Sequence, residues 1–284
     1  GPCRVGETHQ SRKVGFTHPT RRHAANDMAT ALSKLRSPIV LVHGLAGFGE
    51  VRVGGLKVSE YFPGISQELR NGGNRVLIPN LTPTAGVADR AAQLKQFIDR
   101  ESPGEPVHVL AHSMGGLDSR YMISRLGMED RVLTLTTLGT PHRGTSFADW
   151  GVQRLSRIVK PVADMLGIPT QAFRDLTTES CRRFNEEVPD AAKVRYFSVA
   201  GRHDGNWLVP EWLLSYNVVL QNEGDNDGVV SVASAQWGES MELWQGDHFS
   251  LVNWLNPFGH NRGWGRDPKT RYGPLLGRLA DEGF

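Results

Sequence analysis

The sequence predicts an α/β fold with a mostly parallel central sheet and helices on both faces. Short runs of branched aliphatic residues recur along the chain, and stretches with helical spacing lie between them. One strand–helix junction also carries a serine set between small residues. The 284 residues are enough for one large domain with a substantial core, and no internal repeat or low-complexity linker divides them.

Residues 1–35 are polar, basic and weakly periodic, and are expected to form an N-terminal extension that wraps the surface or stays partly disordered. Arg12, Lys13, Arg21 and Arg22 form a local basic cluster there, open to reading as a solvated tail or as a contact region. A single domain is expected over 36–284. Its strands are expected at Ile39–Val42, Arg75–Ile78, Val107–Leu110, Val132–Leu138 and Val194–Val199, each bounded by Gly, Pro or Asn. Met241–Trp244 is a weaker last strand. Helical spacing runs over Tyr61–Arg70, Val87–Arg100 and Gly116–Leu126; Ala91, Leu94, Phe97 and Ile98, for example, share one face.

Two segments interrupt the alternation. Phe147 to Leu166 lies in a lid-like insertion over 146–190, and Trp207 to Leu220 in a second apolar segment over 205–222. Both follow strands. They read either as further core helices or as a hydrophobic cap over a site, with Trp207, Trp212 and Leu213 as candidate substrate-binding residues.

Composition narrows the classes of partner. A net charge of +2 gives no reason to expect nucleic acid. No run approaches the roughly eighteen apolar residues of a membrane span, and no signal-peptide core is visible, so an exported form is expected to have lost its leader already. Cys3 and Cys181, the only cysteines, lack metal-type spacing; they are read as two thiols ahead of a single bridge. No metal and no cofactor are expected.

The junction is Val107-His108-Val109-Leu110-Ala111-His112-Ser113-Met114-Gly115-Gly116-Leu117. A serine there stands on a tight strand-to-helix turn with its hydroxyl above the sheet edge. Side chains two positions away would collide as the chain reverses, and Ala111 and Gly115 meet that need. A serine hydroxyl needs a base, and the base needs an orienting carboxylate. With the chain order serine, acid, histidine, His43, His108, His142 and His203 fall too early, and His112, as the neighbour of Ser113, should point the other way. His248 and His260 remain. His248 directly follows the last expected strand and is preferred. Asp227, in the turn Asp225-Asn226-Asp227-Gly228, is the preferred acid, with Asp225 its nearest rival and Asp204 and Asp247 weaker. Two backbone N–H groups must also receive an oxyanion. Met114, just after the serine, and Leu45, in His43-Gly44-Leu45-Ala46-Gly47, are the candidates.

These stretches, together with Leu138-Gly139-Thr140-Pro141-His142-Arg143-Gly144, Asn226-Asp227-Gly228-Val229-Val230 and Asp247-His248, resemble the α/β-hydrolase superfamily. Within it they are similar to the true lipases of bacteria and related fungal-type lipases. The resemblance spans about residues 38 to 255. It implies a lipase or carboxylesterase with Ser113, Asp227 and His248 as its triad, a helical lid after Gly144, and a lipid or small ester as substrate, met in solution or at a lipid–water interface. Two departures stand out. Many bacterial relatives bind calcium through a carboxylate two residues after the histidine, where this chain has Ser250, and no cysteine stands near Asp227 to form their disulfide. Acyl transfer to an alcohol by the same residues stays open. A non-catalytic lipid carrier on this fold would lack a triad member, and none is missing here.

Overall fold

In a computed structural model the described residues are 32–45, 47, 50–53, 56–155, 171–205, 210–254 and 269–284. The chain runs β1 (Ile39–Val42), a hairpin of β2 (Glu50–Val53) and β3 (Leu56–Glu60), α1 (Ile65–Asn71), β4 (Val76–Leu77), α2 (Val87–Glu101), β5 (Val107–His112), α3 (Met114–Arg125) and β6 (Val132–Leu138). It continues through α4 (Ser146–Leu155), α5 (Gln171–Asp175), α6 (Thr178–Glu187), β7 (Arg195–Arg202), α7 (Pro210–Glu223), the single turn α8 (Val232–Ala235), β8 (Ser240–Gln245), a 3₁₀ turn at Ser250–Val252 and α9 (Lys269–Asp281).

Six strands form one sheet in the order β4-β1-β5-β6-β7-β8, and every pairing is parallel. A parallel sheet covered on both faces demands strands apolar on both sides, and β1, Ile-Val-Leu-Val, is buried at all four positions. Its alternate residues enter different cores. Ile39 and Leu41 pack with Ile65 and Leu69 of α1 and with Leu275, Leu276 and Leu279 of α9. Val40 and Val42 pack on the opposite face with Ala91, Leu94 and Ile98 of α2 and Met122 and Ile123 of α3. Burying each leucine or isoleucine contributes on the order of 2 kcal/mol. The period-2 strands and period-3.6 helices therefore generate the layered arrangement directly.

The expected strands are present with boundaries shifted by a few residues, and the weak last one is the full edge strand β8. Three features differ from expectation. The β2–β3 hairpin, which pairs antiparallel as a separate two-stranded sheet, has no counterpart in the sequence reading. Helix α1 begins only at Ile65, after a turn that buries Tyr61 and Phe62. Leu32 and Leu35 are buried in the α1–α9 core, and the Leu35 N–H bonds to Asn74 Oδ1 at 2.9 Å, so packing starts ahead of residue 36. Residues 1–31, and 156–170 of the first apolar segment, lie outside the described residues. Helix α4 packs against α7, so the described parts of the two apolar segments meet. No helix among the described residues is long and apolar enough to cross a membrane.

Candidate active site

After β1 the chain lays β4 on one side of it and then crosses to lay β5 on the other. Strand order that reverses in this way opens a crevice at the carboxyl ends of the two central strands. Gly44 follows β1 and Ser113 follows β5, so both stand at that crevice. A Cβ built on Gly44 would lie 2.7 Å from the Ser113 Cβ, so only glycine lets the loop come so close.

Ser113 has φ 55° and ψ −130°, a conformation that costs a non-glycine residue on the order of 1–3 kcal/mol. Its neighbours hold it there. The Ser113 N–H donates to the Leu138 carbonyl at 2.9 Å, while its own carbonyl accepts from the Thr140 hydroxyl at 2.7 Å and the Gly116 N–H at 3.1 Å. A side chain at Gly115 would press on the His43 carbonyl at 2.9 Å, which is why the second small residue of the junction is needed. Helix α3 starts at Met114, and the first N–H groups of a helix have no acceptor within it.

Asp227 lies between α7 and β8, in a turn closed by the Asn226–Ser231 bridge, with Gly228 at φ 102°. Its Oδ1 accepts from the N–H groups of Val229 at 3.0 Å and Val230 at 2.8 Å. Its Oδ2 lies 2.7 Å from His248 Nδ1. An ionised carboxylate only accepts, so the proton sits on Nδ1 and Nε2 is left as the basic nitrogen. The His248 N–H also donates to the Asp227 carbonyl at 2.8 Å, joining the pair a second time. The acid alternatives separate by position. The Asp225 side chain is 65% exposed and faces Arg202 at 3.6 Å, and Asp204 is likewise exposed beside His203. The Asp247 carboxylate accepts from the Ser250 N–H. His260 lies outside the described residues.

The serine turn and the Asp227–His248 pair meet around Gly139, the residue after Leu138. A Cβ on Gly139 would stand 3.0 Å from Asp227 Oδ2 and 3.1 Å from His248 Nδ1. The loop carrying His248 is clamped from α9. Arg271 donates to the carbonyls of Gln245 and Ser250, on either side of the histidine, and Tyr272 donates to that of Leu251. Among the described residues no group of three or more His, Cys, Asp or Glu side chains is placed to hold a metal ion.

The His43–Gly47 loop is held as closely. The Leu81 N–H donates to His43 Nε2 at 3.0 Å, so Nδ1 carries the proton and donates to the Gly44 carbonyl at 2.9 Å. Arg90 donates to the His43 carbonyl at 2.7 Å and forms a fully buried ion pair with Asp118 at 2.8 Å. Sequence reasoning passed over Arg90. The available signal was an arginine within the apolar stripe Val87, Ala91, Leu94, Ile98 of α2, a position that buries a charge only when partners await it. The ring of His112, the neighbour of Ser113, packs against that of His248 with centroids 4.5 Å apart. Of the residues expected to bind substrate, Trp207 lies outside the described residues, Trp212 is in α7, and Leu213 is 48% exposed on that helix. Cys181 is a buried free thiol, pushed up to about 12 by burial and thus inert at neutral pH.

Buried histidines set the acid limit of the fold. Burial lowers His43 and His108 from 6.5 to about 4, aided at His43 by the Arg90 charge. His112 and His142 also fall well below 6.5, chiefly through burial. The unfolded chain therefore binds more protons than the fold below pH 6.5. The histidine contribution to stability is complete above that value, declines as pH falls towards 4, and falls by up to roughly 3 kcal/mol for each of His43 and His108. Asp118, raised by burial to about 7, acts in the opposite sense, one carboxyl against four imidazoles. Denaturant unfolding should give a clearly lower free energy near pH 5 than near pH 8; equal values would refute this account.

An open parallel sheet, a strained serine after its central strand and an aspartate–histidine pair on the turns around β8 match the layout of the α/β-hydrolase fold. The chain belongs to the alpha/beta hydrolase family, whose model matches residues 39–268. It is 32% identical to triacylglycerol lipase 2 of Saccharomyces cerevisiae, over 69% of this chain and 63% of the yeast protein, so it spans under two thirds of that relative. It is 32% identical to a triacylglycerol lipase of Pseudomonas fragi, over 77% of this chain and 88% of that protein. The mature form of a Bacillus licheniformis lipase superposes with a TM-score of 0.61 at 26% identity, covering 84% of this chain and 91% of that one.

Proposed function

We propose that this protein hydrolyses carboxylic esters of lipids through an acyl-enzyme intermediate on Ser113. The observation that carries the reading is the Asp227–His248 bond of 2.7 Å, which leaves His248 Nε2 basic at the crevice where Ser113 is held. His248 takes the hydroxyl proton as Ser113 Oγ bonds to the ester carbonyl carbon. Asp227 fixes the imidazole tautomer and stabilises the charged ring. The N–H groups of Leu45 and Met114 receive the oxyanion, which needs donors fixed in advance, as the Arg90 and Leu81 bonds to the His43 loop provide. Collapse expels the alcohol, which takes the proton from His248, and water then releases the acid by the same route. One catalytic domain carries the site, and its core includes Leu32 and Leu35 as well as the expected 36–284.

The names of the lipase relatives and the apolar face of α7 support an acyl-chain substrate. Leu213 and Leu214 are each 48% exposed on that helix, and Leu220 40%. An exposed apolar surface of this kind suits a ligand or lipid contact. Leu213→Ser should weaken hydrolysis of long-chain esters severalfold to tenfold while leaving acetate esters and the Tm nearly unchanged, since a buried leucine contact is worth about 1–2 kcal/mol. A fall in Tm with an equal loss on every chain length would make Leu213 part of the core instead. The proposal as a whole is tested with p-nitrophenyl esters from acetate to palmitate, below and above their solubility, with a competing alcohol to expose acyl transfer. Absence of turnover on every ester, together with no labelling by a serine-directed phosphonate, would overturn it.

A further inference from the structure

The residue before the candidate nucleophile ties together the two halves of the site. His112 is fully buried, and both of its ring nitrogens are engaged. Nε2 lies 2.9 Å from the His248 carbonyl oxygen, and Nδ1 lies 2.8 Å from the Tyr61 hydroxyl. A carbonyl only accepts, so Nε2 must carry the proton, which leaves Nδ1 bare to accept the Tyr61 O–H. The Tyr61 oxygen in turn has a backbone hydrogen bond with Gly44, in the loop expected to supply an oxyanion donor. A Cβ on Gly44 would lie 3.1 Å from that oxygen, which places the tyrosine tip directly under the loop. The tyrosine is itself anchored, since its carbonyl accepts from the Trp254 indole N–H at 2.7 Å.

We propose that Tyr61 and His112 are positioning residues that form one directed chain from the Gly44 loop to the His248 loop. The chain fixes the oxyanion donors and the general base relative to each other and to Ser113, whose backbone continues directly from His112. Its direction is set at one end by a carbonyl, so neither member can reverse without leaving a buried polar atom unpaired. Burial holds His112 neutral, well below its ordinary pKa, and keeps the Tyr61 hydroxyl protonated, as the chain requires. Both act by holding the groups that carry the reaction, and His112 also packs its ring on that of His248. This inference rests on the ester-hydrolase reading of the site.

The test uses the full chain with a soluble short-chain ester and four variants: Tyr61→Phe, His112→Gln, His112→Leu and the Tyr61→Phe/His112→Gln double. Loss of an outer partner of a catalytic group is expected to cost about 10- to 100-fold. Tyr61→Phe, which removes only a hydroxyl, should lower kcat by that amount with KM within about twofold, because the groups held act on the transition state. His112→Gln, whose amide can still donate to the His248 carbonyl, should retain several times the kcat of His112→Leu, which is apolar and of similar reach. A packing role would rank leucine at or above glutamine. The double variant should be little worse than the poorer single, since a chain cut once is already cut.

Multiplying losses in the double variant, or full activity in Tyr61→Phe, would overturn the proposal. If His112→Leu fails to fold, Tyr61→Phe and the cycle with His112→Gln still decide. Ser113→Ala run in parallel separates the two levels. An active Ser113→Ala overturns the ester-hydrolase reading itself, whereas an inactive one beside unaffected Tyr61 and His112 variants overturns only the chain.

Discussion

Ser113→Ala is expected to fold normally and to lose turnover by about 10⁴-fold or more. The substitution removes the one oxygen to which an acyl group would transfer, and His248 and Asp227 then have no nucleophile to serve. What survives is binding and oxyanion stabilisation, which act on water's own attack. The fold should be untouched because the bonds that hold the turn are made by the Ser113 backbone, to Leu138, Thr140 and Gly116, and not by its hydroxyl. Alanine keeps the strained φ without adding bulk against Gly44. A serine-directed phosphonate should label the parent chain at Ser113 alone and the variant not at all. Near-normal activity in the purified variant, by steady-state ester hydrolysis, would end the serine-hydrolase reading.

The second large effect is expected at Asp227. Asp227→Asn should lower kcat by about 10⁴-fold, the scale at which a wrong histidine tautomer disables a triad. The direction follows from the turn around it. Two N–H groups, from Val229 and Val230, converge on Oδ1 and hold the asparagine carbonyl oxygen on that side. The amide NH₂ must then face His248 Nδ1, which becomes an acceptor, and the ring proton moves to Nε2, where the base is needed. Asp225→Asn should change activity less than about twofold, because its exposed carboxylate faces Arg202 at 3.6 Å, and surface pairs contribute about 0–1 kcal/mol. The opposite ranking of the two variants would move the acid to Asp225.

Legibility in the sequence followed the range of the interaction concerned. The buried strands and amphipathic helices were readable because period 2 and period 3.6 are properties of a few consecutive residues, as in Ile39–Val42 and in α2. The serine junction was readable because a sharp turn limits the size of its immediate neighbours. The β2–β3 hairpin was not, since Glu50–Val53 and Leu56–Glu60 form no apolar run of the kind that marked the sheet strands. The sequence preferred Asp227 to Asp225, but the contacts that separate the two lay beyond it. Two residues apart in one turn, they are chemically identical, and only the backbone N–H groups of Val229 and Val230 orient one of them towards His248.

Sequence by itself therefore determined the α/β layering, the position of the serine turn, and the order in which serine, acid and histidine candidates follow the strands. Each depends on local geometry that the residues themselves impose. Only the tertiary structure decided which partners support the site: Arg90 and Asp118 beneath the His43 loop, Arg271 and Tyr272 around the His248 loop, and Tyr61 on His112. These contacts join residues from 28 to 51 positions apart for the first and last pairs, and 21 for Tyr272 and Leu251. A hydrogen bond is satisfied by any donor and acceptor that meet, so composition and spacing leave the pairing undetermined until the packed sheet brings particular groups within 3 Å of each other.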